Sequence, residues 1–281
     1  MLQAVLGLDA ATIAAAFLVT PANMGQRLVR AKRRIRDTGI PFRVPDAGDL
    51  PGRIDAVLDA IYATFGTGWR DPGGDVRHQG LMEEAIWLGR VLAARLPDEP
   101  EVPGLLALML HAAARLPARR SMDGEYAPLS EQDPADWDGA MVDEAEDLLR
   151  QAGRQRRMGR FQLEAAVHSV HAARRRTGGT DWPALVQLYD ALLALTDSPV
   201  VAVNRAAALA GAQGAVAGLA ALESLAGDPR LVDYQPYWAT RADLCARLGD
   251  AGAAAAAYAR AIALESDPAV RAFLEERRGA L

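Results

Sequence analysis

Cysteine is almost missing from this 281-residue chain: Cys245 stands alone, so no intrachain disulfide can form and a reducing compartment is expected. Lysine is equally scarce, with Lys32 the one example, and aromatic residues make up only 6%. No apolar run reaches the length of a membrane span, and no charged-then-apolar leader opens the chain. The expectation is a cytoplasmic protein with no membrane partner. Runs with the two-residue period of a strand are too short to outweigh the helical pattern, which argues against a sheet.

What the sequence does contain is alanine, leucine and helix punctuation. Apolar residues reach 51% and charged residues 24%, ordinary for a globular protein long enough to bury a sizeable core. Alanine and leucine lead the helix-propensity ranking, so an all-α fold is predicted. "DAATIAAAFLV" puts Ile13, Phe17 and Leu18 on one helical face. Thr20 suits a cap and Pro21 a first turn, so a second helix should run from Pro21 to Arg36, striped by Met24, Leu28 and Ala31 to Ile35. Gly39 and Pro41 end it. Two short helices around a tight turn, the second rich in arginine, read as a helix-turn-helix over residues 1–38. A proline- and glycine-rich linker is expected over 39–53, in which Ile40, Phe42 and Val44 could pack.

From Ile54 to the end, residues 54–281, the periodicity predicts helices throughout: 54–65, 78–96, 101–115, 135–151, 162–174, 182–195, 200–210, 216–225, 237–248, 251–265 and 268–278. The stretch 182–281 is self-similar. Trp238, Ala242, Leu248-Gly249-Asp250, Ala254, Tyr258, Ala261 and Leu264 fall at tetratricopeptide-like spacing, where small residues let paired helices approach. Asn204, Ala206, Gly214, Gly218, Leu222 and Leu225 form a weaker copy, and Leu185, Tyr189, Leu192 and Pro199 resemble part of a third. A TPR-like helical-repeat domain is expected.

Charge is unevenly placed. The net charge is −5, yet residues 1–45 carry seven cations against Asp9 and Asp37, leaving ten excess negative charges on the other 236 residues. Such asymmetry marks either a solvated basic helix or an element that meets a polyanion, and the helix-turn-helix context favours the second. Asn23, Gln26, Arg27 and Arg30 lie off the apolar stripe near the start of the second helix. In that position arginine reads guanine, and asparagine or glutamine reads adenine. Arg33, Arg34, Arg36 and Lys32 lie further along and suit phosphates or a protein partner.

Other chemistry finds little support. His168 and His171 stand i, i+3 on a predicted helix, but no second ligand pair accompanies them, and His78 and His111 stand apart; a structural role is expected and no metal. No serine or cysteine sits in a nucleophile elbow, so no enzyme is expected. "DPGGD" lacks the lysine and strand context of a phosphate loop, and no cofactor is expected. Glu83-Glu84 and Glu275-Glu276 read as solvated faces, Cys245 as a small core residue, and Trp69, Trp87, Trp137, Trp182 and Trp238 as core anchors.

With these residues in view, "ATIAAAFLVTPANMGQRLVRAKRRIRDTGIPFRVP" resembles region 4 of extracytoplasmic-function sigma factors of the sigma-70 family, in the subgroup with a long tetratricopeptide-like extension. "TDWPALVQLYDALLALTDSPVVAVNRAAALA" and "RADLCARLGDAGAAAAAYARAIAL" carry the resemblance into the extension. It implies a transcription factor whose partners are promoter DNA and the β flap of RNA polymerase core, with a regulatory protein on the extension. The DNA-contacting positions would be Asn23, Gln26, Arg27 and Arg30, then Arg33 and Arg34. Region 2 and the first helices of region 4 have no counterpart, so the chain matches the carboxyl-terminal part of such a factor. The rival readings are a helical-repeat interaction scaffold without DNA binding, and a ligand-sensing regulatory domain.

Overall fold

The computed structural model describes residues 2–3, 8–17, 19–39, 52–70 and 80–281. Among these the fold is all-α: fourteen α-helices and three short 3-10 turns, with a single bridge pair, Arg120 and Tyr126, the one strand-like contact. The expected linker segment 40–51 and residues 71–79, with "DPGGD" and His78, lie outside the described residues. Two compact units result, residues 1–97 and 98–281.

In the first unit, α1 (Ala10–Ala16) starts where Asp9 Oδ1 accepts a hydrogen bond from Thr12 N at 2.7 Å. α2 (Pro21–Thr38) starts the same way, with Thr20 Oγ1 accepting from Asn23 N at 3.3 Å and Pro21 at the first position. It ends at Gly39, whose φ of +60° is the left-handed turn that favours glycine. α3 (Ile54–Arg70) and α4 (Leu81–Arg95) complete the unit. Ile13 and Ala14 of α1, Met24 of α2 and Ala60 and Ala63 of α3 share one buried cluster with Leu2 and Leu8. α3 lies in this unit, its Ala60 and Ala63 sharing the buried cluster with α1 and Met24. The buried hydroxyls of Thr64 and Thr67 donate to the carbonyls of Ala60 and Ala63, which removes the cost of placing them in the core.

The second unit is built on α5 (Glu101–Ala114), buried from Val102 to Ala114. A helix apolar on all sides belongs at a centre. α6 (Gly139–Arg154) and α7 (Arg160–Ala172) flank it. The α5–α7 crossing is close: a Cβ on Gly104 would lie 2.9 Å from Gln162 N. Glu101 caps α7 from this crossing, its carboxylate accepting from Phe161 N at 2.8 Å and from Gln162 N and Nε2 at 3.1 Å. The negative charge sits where the helix dipole is positive.

The chain then runs through α8 (Arg174–Thr177), α9 (Trp182–Thr196), α10 (Pro199–Gln213), α11 (Ala215–Glu223), α12 (Gln235–Arg247), α13 (Ala251–Leu264) and α14 (Pro268–Gly279). α9 packs on α7, and from α10 each helix packs on the one before it. The small residues explain why. Ala242, Ala254, Ala257 and Ala261 are buried between α12 and α13, and a Cβ on Gly218 would meet Ala210 Cβ at 2.5 Å between α10 and α11. Gly249, at φ +79°, turns the chain between α12 and α13, and Asp250 caps α13. Cys245 is buried in α12.

One long-range closure completes the unit. The segment that follows α5 meets α14 and the residues before it. Arg120 pairs with Asp267, Arg277 with Glu131, and the Tyr126 ring lies edge-on to Phe273 with centroids 5.5 Å apart.

Candidate nucleic-acid interface

α2 is anchored by its first half and bare over its second. Met24 is buried and Leu28 half-buried against α1 and α3, while every residue from Val29 to Gly39 is exposed. The apolar stripe expected as far as Ile35 therefore stops being covered after Leu28 among the described residues; Ile35 is 53% and Val29 67% exposed.

Opposite the anchor lie the polar positions. Asn23, Gln26, Arg27, Arg30, Arg33 and Arg34 are all exposed. At about 100° per residue they share an arc of about 120°, centred roughly 140° from the Met24–Leu28 anchor. Lys32 and Arg36 fall outside that arc, toward the helix's other flank. Arg33 Nε donates to Asp37 Oδ2 at 3.3 Å, a pair whose side chains are 80% and 58% exposed and therefore worth little. Among the described residues Arg27, Arg30 and Arg34 pair with no carboxylate. Gly25, between these positions, has open space where a Cβ would stand. The structure thus brings all six sequence-derived residues onto one solvent-facing stripe, held by a core that does not use them.

A stripe of guanidinium groups with an asparagine and a glutamine can do two things. The cations meet phosphates or carboxylates, and the amides form paired hydrogen bonds to base edges or to a peptide. It offers no nucleophile and no general base.

Comparison with known proteins finds two similarities, one local and one along nearly the whole chain. Residues 53–153 match a family of unknown function, DUF6596. That segment takes in α3, α4, α5 and all but the last residue of α6. An uncharacterised protein of Rhizobium meliloti (strain 1021) is 40% identical over 274 residues, covering 97% of this chain. The chain spans 64% of the length of that curated relative. No solved structure matches the chain.

The tryptophans fall unevenly against the expectation of core anchors. Trp137 is buried and Trp69, Trp182 and Trp238 are half-buried, but Trp87 on α4 is 56% exposed. α4 directs Ala85, Ile86 and Gly89 inward, which turns position 87 outward. Sequence reasoning also set His111 apart from His168 and His171. The structure brings all three together, because α5 and α7 cross at the level of these side chains. No local spacing signals this, since α5 and α7 contribute one partner each to the contact. Among the described residues no helix is long and apolar enough to cross a membrane, and no three His, Cys, Asp or Glu side chains form a metal-ligand group.

Proposed function

We propose that the chain is the carboxyl-terminal part of an extracytoplasmic-function sigma factor. In this reading α1 and α2 form a helix-turn-helix, α2 reads the upstream promoter element, and the TPR-like helices of the second unit dock a regulatory protein. The observation that carries it is the exposed stripe Asn23–Gln26–Arg27–Arg30–Arg33–Arg34, presented by a capped helix whose packing leaves it free for a polyanion. Small buried alanines between successive helices of the second unit support the repeat reading. The activity proposed is recruitment of RNA polymerase core through its β flap.

The test is binding of the purified chain to a promoter duplex and to a scrambled duplex, measured by fluorescence anisotropy at low salt and over a salt series. Preference for the promoter duplex, with affinity falling as salt rises, is the expected result, because phosphate contacts release counterions. Equal binding to both duplexes sinks the DNA assignment. Affinity capture then separates this reading from a DNA-independent scaffold: polymerase subunits are expected, and their absence beside other partners favours the scaffold.

A further inference from the structure

Behind the repeat helices the second unit buries a polar cluster that the promoter reading does not use. His111 is 2% exposed on α5, with Arg115 one turn later. His168 and His171 face it from α7, the His111 and His168 rings stacked with centroids 6.4 Å apart. The His171 ring lies edge-on to Trp182 at 6.4 Å. The guanidinium carbons of Arg115 and Arg174 sit 5.9 and 5.8 Å from the centroid of buried Trp137, and Arg174 donates to the carbonyls of Leu129 and Gln132. Glu146 accepts from the Ser169 hydroxyl at 2.6 Å and lies 3.5 Å from His111 Nε2 without forming a hydrogen bond to it.

This region gathers buried hydrogen-bonding atoms that have no partner. His111 Nε2, His168 Nδ1, His171 Nδ1, Trp137 Nε1 and Gln132 Oε1 are all enclosed and unsatisfied. Elsewhere among the described residues, Gln3 Oε1 alone shares that condition. Each such atom costs about 1–3 kcal/mol if left unpaired, and the three imidazoles and the indole, linked through Arg115, point to an occupant. Its chemistry follows from the donors. The indole N–H can only donate, a neutral imidazole can turn an N–H toward whichever side needs one, and two guanidinium groups bring permanent positive charge into the same region. Three cationic or donor classes facing inward suit oxygen acceptors.

We propose that His111, Arg115, Trp137, His168 and His171 form a binding site for a small acceptor-rich anion, a carboxylate or a phosphate. The loop after α5 closes over the same region: Arg115 reaches electrostatically to Tyr126 and Tyr189, and Tyr126 in turn to Glu265 and Asp267 beside α14. Occupancy would therefore be linked to the contact between the α5 loop and α14, which gives the second unit a way to respond to a metabolite. This inference goes beyond the promoter reading and does not rest on it, since the site lies wholly in residues 98–281.

The experiment uses the full chain with 13C-labelled histidine. Inorganic phosphate and succinate are titrated separately against sodium chloride at matched ionic strength, and both the imidazole resonances and the thermal midpoint are followed. One of the two anions is expected to shift three imidazole signals saturably and to raise the midpoint as its concentration rises. Response to phosphate alone assigns a phosphate ligand, and response to succinate alone a carboxylate. Trp137→Phe keeps the ring and removes the donor, and is expected to weaken binding about tenfold or more; Arg115→Lys, which keeps a charge, serves if that variant unfolds. Responses no larger than those to chloride, or unchanged in both variants, overturn the proposal and leave ordered water as the occupant. None of these readings involves DNA or polymerase, so failure here is distinct from failure of the promoter assignment.

Discussion

Gly25 is the residue at which local physics and the proposed site separate most cleanly. It lies within α2, with nothing within 4 Å of an added Cβ. Gly25→Ala is expected to stabilise the first unit by about 0.5–1 kcal/mol, because alanine loses less backbone entropy in a helix. A chemical denaturation curve checks this, and a loss of stability would show an unseen contact. Gly218 is its opposite. A methyl group there meets Ala206 O at 2.8 Å and Ala210 Cβ at 2.5 Å, so Gly218→Ala is expected to cost about 1–3 kcal/mol as α10 and α11 are forced apart. Sequence periodicity marked Gly218 as a repeat position; it could not mark Gly104, whose close neighbour Gln162 lies on another helix.

At the scale of elements, α2 carries the functional expectation. Arg27→Ala and Arg30→Ala should each weaken binding to promoter DNA by about 1–3 kcal/mol if they read bases. Arg33→Ala and Arg34→Ala should instead lower affinity for all sequences alike and reduce the salt slope by about one each, the mark of phosphate contacts. Anisotropy titrations over salt distinguish the two patterns, and identical behaviour of all four variants would erase the division between base and phosphate positions. The helix and its free face were legible because capping residues, proline, glycine and a 3.6-residue stripe all act locally. Less legible was where packing ends. Ala31 and Ile35 continue the stripe in sequence, yet no described neighbour covers them. The Glu101 cap on α7 was invisible for a related reason: its partners Phe161 and Gln162 lie about sixty residues downstream. Glu101→Ala should destabilise the second unit by about 1–3 kcal/mol, read from its thermal midpoint.

For the whole molecule, the buried histidines give stability a direction with pH. Burial, and then the Arg115 charge, pushes the His111 and His171 imidazoles down to about 4; burial leads the same lowering at His168, which Arg115, His111 and His171 also reinforce. Arg115 (pushed down to about 10 by burial), Arg174, Glu146 and Tyr189 are the charged and titratable groups around them. In the unfolded chain these rings take up protons near pH 6.5, so the unfolded state binds more protons throughout the interval down to about 4. Stability is full above pH 6.5 and falls as pH drops toward 4, by about 1.4 kcal/mol per pH unit for each ring in that window. Thermal midpoints measured from pH 7 to 4.5 should decline, and His111→Phe should flatten part of the decline. A flat profile would place the rings in contact with water.

The pairing of Arg120 with Asp267 and of Glu131 with Arg277 sets an order on biosynthesis. A nascent chain emerging from the ribosome can assemble α5, α6 and α7 early, and Arg174 can then hold Leu129 and Gln132, yet Arg120 and Glu131 must wait almost 150 residues for their partners. Until α14 leaves the exit tunnel, Tyr126 has no Phe273 to pack against. Ribosome-stalled chains ending before Pro268 should therefore be cut by protease between Arg120 and Tyr126, and release of the finished polypeptide should abolish that cut.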